Sequence, residues 1–279
     1  MSKEILPKDQ IARPFLRWVG GKTWLLKHLP IVLNGHTFNN FHEPFLGGGA
    51  FFFLFNSNER KAFLSDLNKD LIETYLCVKR DIEGVIKELK RHRNTENYYY
   101  SIRKKYFESP TKRAAQFIYL NQTSFNGIYR VNLKGKYNVP FGYRNKNFLE
   151  PNNLRLVNKR LNNSHIFADD FEAIKSNIKK NDLVFLDPPY TVSHNNNSFI
   201  KYNQKLFSLE DQYRLSVLID FIKSKGAFYI LSNAAHIKVA KIFEKGDTKI
   251  VLERASVVGG REAQRDIIKE YLFTNLKSR

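Results

Sequence analysis

The sequence predicts an α/β core interrupted by a basic, mainly helical insertion. Three observations predict it. Short apolar runs bounded by turn residues alternate with amphipathic stretches toward both ends of the chain, the pattern of βαβ units. A glycine cluster, Gly47-Gly48-Gly49, follows the first such run. Residues 75–160 hold 19 Lys and Arg against 6 Asp and Glu, so +13 of the net +19 lies in under a third of the 279 residues.

The elements follow in order. HTFNNFHEPFLGGGAFFF (36–53) reads as a strand, a glycine turn and an apolar helix. KAFLSDLNKDLIETYLCVKR (61–80) reads as a second strand ending at Asp66, then a helix. IEGVIKELKRHR (82–93) and TKRAAQFIYLNQ (111–122) are helical and basic. GIYRVNLKGKYNVPFG (127–142) alternates around Lys134-Gly135 and predicts a β-hairpin. Strands resume at SHIFADDF (164–171) and NDLVFLDPPY (181–190), then GAFYILSN (226–233) and DIIKEYLFTN (266–275). LEDQYRLSVLIDFIKSK (209–225) is a helix among them. The expected division is a core half at 1–74, an insert at 75–160 and a second core half at 161–279.

Composition narrows the partners. A surplus of this size favours a polyanion, because each phosphate contact releases counterions. No acid lies between Glu108 and Glu150, and Arg and Lys alternate there with Tyr, Phe and Asn. That distribution favours nucleic acid over a merely solvated basic face. No apolar run reaches the ~18 residues that cross a bilayer. The opening MSKEILPKDQ lacks the apolar stretch of a signal peptide. A single cysteine, Cys77, fits a reducing cytoplasm. The histidines show no metal-ligand spacing, so no metal and no membrane are expected.

Two stretches carry chemistry. Asp66 lies 19 residues after Gly47, at the end of the next strand. There an acid can accept hydrogen bonds from both hydroxyls of a ribose. The dinucleotide fingerprint fails, because Phe52 holds the third glycine position. A phosphate loop fails too, because Leu16 stands where the first glycine of GxxxxGKT belongs. A nucleoside cofactor without a pyrophosphate remains, and S-adenosylmethionine is such a cofactor. A turn serving packing alone is the other reading of the glycines.

The second stretch is DLVFLDPPY (182–190). An exocyclic amine on a nucleobase is a poor nucleophile, since its lone pair is delocalised. Asp187 and the Pro188 carbonyl could accept from its N–H groups and return electron density to nitrogen. Pro188 and Pro189 stiffen the turn and remove competing donors. Tyr190 would stack on the base. A duplex base reaches such a pocket only when flipped out. An ordinary strand-ending turn is the other reading.

Six motifs in one order resemble the Dam-type DNA adenine methyltransferases of the alpha class. They are RPFLRWVGGK (13–22), FHEPFLGGGAFFF (41–53), LSDLN (64–68), FNGIYRVNLKGKYNVPFG (125–142), LDPPY (186–190) and LSN (231–233). The resemblance implies a Rossmann-like S-adenosylmethionine-dependent sheet with an inserted target-recognition domain carrying a β-hairpin. It implies methyl transfer to the N6 amine of a flipped-out adenine in double-stranded DNA, within GATC or a related short site. Protection from a cognate restriction endonuclease acting separately, or epigenetic marking, would be its use. By resemblance, Trp18, Lys22, Phe45, Gly47, Gly49, Asp66, Asp170, Phe171 and Asp187 would hold the cofactor. Arg17, Phe125, Asn126, Ile128, Arg130, Lys134, Lys136, Pro140 and Arg144 would meet DNA. Catalysis would fall to Asp187, Pro188, Pro189 and Tyr190. One departure is Gly142-Tyr143-Arg144, where the family order is Gly-Arg-Tyr. Competing readings are a methyltransferase acting on RNA amines or on a protein amide, a DNA-binding protein with a vestigial cofactor fold, and a nicotinamide oxidoreductase.

Overall fold

The computed structural model describes residues 11–18, 20–22, 24–25, 28, 32–33, 35–55, 60–132, 134–145, 147–189, 207–255 and 267–277. Seven strands form one sheet: β1 Phe41–Glu43, β2 Ala62–Asp66, β3 Ser164–Ala168, β4 Leu183–Leu186, β5 Phe228–Ala234, β6 Thr248–Ala255 and β7 Ile267–Thr274. Their order is β3-β2-β1-β4-β5-β7-β6. The helices among the described residues are α1 Ala50–Phe55, α2 Lys69–Arg80, α3 Ile82–Leu89, α4 Glu96–Lys104, α5 Pro110–Thr123, α6 Pro151–Leu161, α7 Leu209–Ser224 and α8 Ile237–Phe243. The mixed α/β class expected from the sequence is what the chain adopts.

The central strands follow from their composition. All four residues of β4, LVFL, are buried, as a parallel strand covered on both faces requires. β4 pairs in parallel with β1 (Phe41 opposite Leu183) and with β5 (Leu183 opposite Phe228). β7 runs antiparallel to β5, and β6 antiparallel to β7 along all eight residues. The chain lays β2 and β3 on one side of β1 and then returns to β4 on the other. Open α/β sheets bind ligands outside the carboxyl ends of strands at such a reversal. Below β4, the buried Asp182 carboxylate accepts from His42 Nε2 at 2.8 Å, and the Phe63 ring stacks on that imidazole. Burial alone would push the Asp182 carboxyl up. Its bonds from His42, the Lys179 N–H and Asn40 outweigh burial and hold it below the usual range.

The described residues group into two compact units. One falls within Met1–Leu26, Leu46–Arg60 and Leu64–Asp169; the other within Lys27–Phe45, Lys61–Phe63 and Asp170–Arg279. In the first, α5 packs on α2 and α3. Helix α2 is capped by Asn68, whose side chain accepts from the Leu71 N–H, and it runs through residue 75. In the second, Ser208 and Asp211 form a reciprocal capping box that starts α7.

Four elements go beyond the sequence reading: α4, α6, α8 and β6. The signal for α6 was present, since Pro151 opens it and Leu154, Val157 and Leu161 form its buried face. β6 ends the sheet as an edge strand, and its side chains alternate between faces, so Val251 is exposed while Leu252 is buried. The expected hairpin is reduced to a turn. One bridge joins Val131 to Tyr137, with the Asn132 N–H donating to Lys136 O and the Asn138 N–H to Arg130 O. Its tip of Lys134, Gly135 and Lys136 is exposed, while Val139 beyond it is buried.

Candidate active site

The glycine turn is held by Asp66. After β1 the chain enters Leu46–Gly49, where Gly47 (φ +46) and Gly49 (φ +65) adopt the left-handed conformation that glycine permits. The Gly47 N–H donates to Asp66 Oδ2 and the Asn68 N–H to Oδ1, both at 2.9 Å. The Tyr75 hydroxyl donates to Gly47 O at 3.1 Å. Asp66 is half-buried at the carboxyl end of β2. Desolvation raises its pKa, and the backbone N–H bonds from Asn68, Gly47 and Leu67 oppose that rise. From the end of β2 the carboxylate thus fixes the glycine turn that follows β1.

The glycines serve a second purpose that spacing did not reveal. A Cβ at Gly47 would stand 2.8 Å from Trp18 Cδ1 and Nε1, and one at Gly48 would stand 2.9 Å from Trp18 Cβ. The missing side chains therefore admit the Trp18 indole against the turn. That ring also stacks on Tyr129, with centroids 5.8 Å apart and planes 19° apart. Lys22 is buried, and its Nζ donates to Gly20 O at 2.9 Å.

In the second unit, Phe45, Phe171 and Phe207 form an aromatic cluster. Phe45 stacks on Phe171 at 5.4 Å, and Phe207 meets both rings at 5.6 and 5.7 Å. Arg214 from α7 lies over Phe171 at 4.8 Å and donates to Asp170 Oδ1 at 2.7 Å, to Glu172 and to Asp211. Its pKa is raised by the Glu172 bond foremost, so it remains a cation. Asp170 also caps the following 3-10 turn by accepting from the Glu172 N–H. Neither Phe207 nor Arg214 was expected, because Arg214 lies 44 residues from Asp170. At the carboxyl end of β4, Asp187 is half-buried, Pro188 buried and Pro189 half-buried. Tyr190 lies outside the described residues. On β5, the buried Asn233 donates from Nδ2 to Gln212 Oε1 at 3.1 Å.

The expected DNA-contacting residues other than Arg17 lie on one segment, 125–144, of the first unit. Phe125 is 51% exposed, which is large for a phenyl ring. It opens a tight turn in which Asn126 has φ +52, and its N–H donates to Pro140 O at 2.9 Å. Gly127 is required there, because a Cβ would stand 2.3 Å from Arg17 Cβ. Asn126, Arg130, Lys134, Lys136 and Pro140 are exposed, and Ile128 is half-buried. The Arg130 Nε donates to Asn138 Oδ1 at 2.8 Å. Arg17 donates to Ser124 O at 3.1 Å, at the carboxyl end of α5. Burial lowers the Arg17 pKa first, and the neighbouring charge of Arg144 lowers it further. In the reordered Gly-Tyr-Arg segment, Tyr143 takes φ +50, and its hydroxyl donates to Glu96 at 2.6 Å.

The model of the D12 class N6 adenine-specific DNA methyltransferases matches residues 18–258. The chain belongs to that family. It is 35% identical, over 94% of its length and 99% of the relative's, to the type II methyltransferase M.MjaIII of Methanocaldococcus jannaschii. It is 34% identical to the type II methyltransferase M1.LlaDCHI of Lactococcus lactis subsp. cremoris, over 97% of this chain and 98% of the relative. It is 33% identical to a DNA adenine methylase of Haemophilus influenzae, over 79% of each. The activity is therefore adenine-specific DNA methylation, with S-adenosylmethionine as methyl donor and DNA as substrate. Among the described residues, no cluster of His, Cys, Asp and Glu could hold a metal ion. No described helix is long and apolar enough to cross a membrane.

The residues present fit that donor. In the first unit Asp66 ends β2, where a carboxylate can accept from ribose hydroxyls. In the second unit Phe45 is half-buried beside the buried Phe171 and Phe207, and a ring of that kind can meet a purine.

Proposed function

We propose that Asp187 orients the adenine amine for methyl transfer. Half-buried Asp187, set at the end of the fully buried β4 and followed by two prolines that stiffen the turn, carries this reading. Asp187 and the Pro188 carbonyl accept from the N6 hydrogens, keep the lone pair on nitrogen and turn it toward the donor. Tyr190 stacks on the base. Bound S-adenosylmethionine supplies an electrophilic methyl carbon on sulfonium. Asp66 accepts from its ribose hydroxyls; Trp18, Lys22, Phe45, Gly47, Gly49, Asp170 and Phe171 complete its site.

Residues 75–160 act as the target-recognition insert between core halves 1–74 and 161–279. The adenine is flipped out of the duplex, within GATC or a related short site. Arg130 reads a guanine with two parallel hydrogen bonds. Phe125 enters beside the gap. Arg17, Asn126, Ile128, Lys134, Lys136, Pro140 and Arg144 make the remaining contacts. The work is done on cytoplasmic DNA, for marking or for protection from a separate cognate endonuclease.

Incubation with duplex DNA and tritiated S-adenosylmethionine tests the reading. The expected result is label in N6-methyladenine at one short sequence. Full activity in Asp187→Ala would overturn the role of that carboxylate.

A further inference from the structure

We infer that Tyr129 is a positioning residue that couples DNA reading to the cofactor turn. This rests on the assignment of 125–144 to DNA and of Trp18, Gly47 and Asp66 to the cofactor. Tyr129 lies between Ile128 and Arg130 and is half-buried. Its ring stacks on Trp18, whose indole fills the space that Gly47 and Gly48 leave open. Phe117 of α5 stacks on Tyr129 at 5.3 Å, and Tyr137 tilts against it at 5.8 Å. The Tyr129 hydroxyl donates to Asp70 Oδ2 at 3.2 Å. Asp70 lies in the first turn of α2, directly after the Asn68 cap whose N–H Asp66 holds.

One side chain of the reading loop therefore touches the cofactor turn through Trp18 and the helix after Asp66 through Asp70. Tyr137 ties the same ring to the turn at Lys134–Lys136, since its hydroxyl donates to Ile128 O at 2.9 Å. A shift of this loop against DNA must move the Tyr129 ring or break its contacts. Trp18 cannot follow freely, because the glycine backbone stops it. DNA that fixes the loop thus fixes the indole over the turn. By thermodynamic reciprocity the cofactor favours the DNA-bound loop to the same degree.

The test uses S-adenosylhomocysteine and a duplex that the full chain methylates. Each dissociation constant is measured with and without the other ligand. Each should tighten the other about tenfold in the unaltered protein. Tyr129→Ala should reduce that factor to about twofold or less, with each single-ligand affinity held within about threefold. Tyr129→Phe keeps the ring and loses only the Asp70 bond, so most of the coupling should survive. A merely structural role would weaken both single-ligand affinities and spare the ratio. The chain has two tryptophans, so in a Trp24→Phe background Trp18 emission reports the turn directly. It should respond to DNA alone, and Tyr129→Ala should silence that response. If Tyr129→Ala does not fold, a Trp18 signal indifferent to DNA decides against the inference. Unchanged coupling in Tyr129→Ala, or none in the unaltered protein, overturns it while the proposed site stands. A chain that methylates no duplex overturns the proposed site as well.

Discussion

The glycine turn and the reading loop share one compact unit, yet they are built on opposite plans. At the turn, Asp66, Tyr75 and Trp18 all converge on the Gly47 backbone, and the indole occupies the space where side chains would be. In the loop, two isolated bridges join Ser124 to Phe141 and Val131 to Tyr137, and at the tip a Cβ at Gly135 would meet nothing within 4 Å. The difference teaches which part must be rigid. Donor chemistry needs fixed geometry before the ligand arrives. Reading a duplex needs exposed cations and aromatics that settle on their partner.

The largest effect is expected where geometry serves the reaction itself. Asp187→Ala should lower the transfer rate on the order of 10²–10³-fold. Duplex affinity should change little, as measured by filter binding beside the tritium assay. The reverse pattern, intact turnover and lost DNA binding, would move position 187 from chemistry to recognition. Next comes Arg130→Ala, which should leave the rate on cognate DNA measurable. It should cut discrimination at one base pair about tenfold to a hundredfold. Sequencing of methylated sites checks it. Equal loss at every position would make Arg130 a phosphate contact, held in place by Asn138.

Gly47→Ala and Gly135→Ala sharpen the contrast, because both positions have positive φ. A left-handed alanine costs about 1–2 kcal/mol at either site. At Gly135 the cost should stop there. At Gly47 the added Cβ meets the Trp18 ring at 2.8 Å, so the indole must leave. Affinity for S-adenosylhomocysteine should then fall about tenfold, read by calorimetry. Equal behaviour of the two variants would mean that Trp18 does not form part of the cofactor turn.

How much of this could be read from the sequence depended on distance along the chain. Asp66 was legible because its partner Gly47 and its strand end lie within one βαβ unit. The fully apolar run before Asp187 announced a central strand by itself. The Trp18 contact was not legible, since Gly47 in the sequence asks only for an approach and not for what approaches. Arg214 was hidden for a similar reason: its helix pattern gives its position and not the Asp170 and Glu172 carboxylates it meets. The hairpin at 127–142 was overestimated, because its alternation closes only the bridge from Val131 to Tyr137 around an exposed tip. β6 was missed because an edge strand carries half the apolar signal of β4.

The smallest effect belongs to Lys134. Its ammonium is exposed at the tip of the reading loop, where charge and not shape is on offer. Lys134→Ala should weaken binding to cognate and random duplexes alike. The slope of log affinity against log salt should become shallower by about one. Arg130→Ala should change the slope similarly while also relaxing sequence preference. The two variants thus separate within one loop what the glycine turn and the loop separate within the unit: a residue held so that it can choose, and a residue placed only to attract. If Lys134→Ala altered the methylated sequence while leaving the slope untouched, the loop tip would be reading bases, and the division between rigid and adjustable parts would have to be drawn elsewhere.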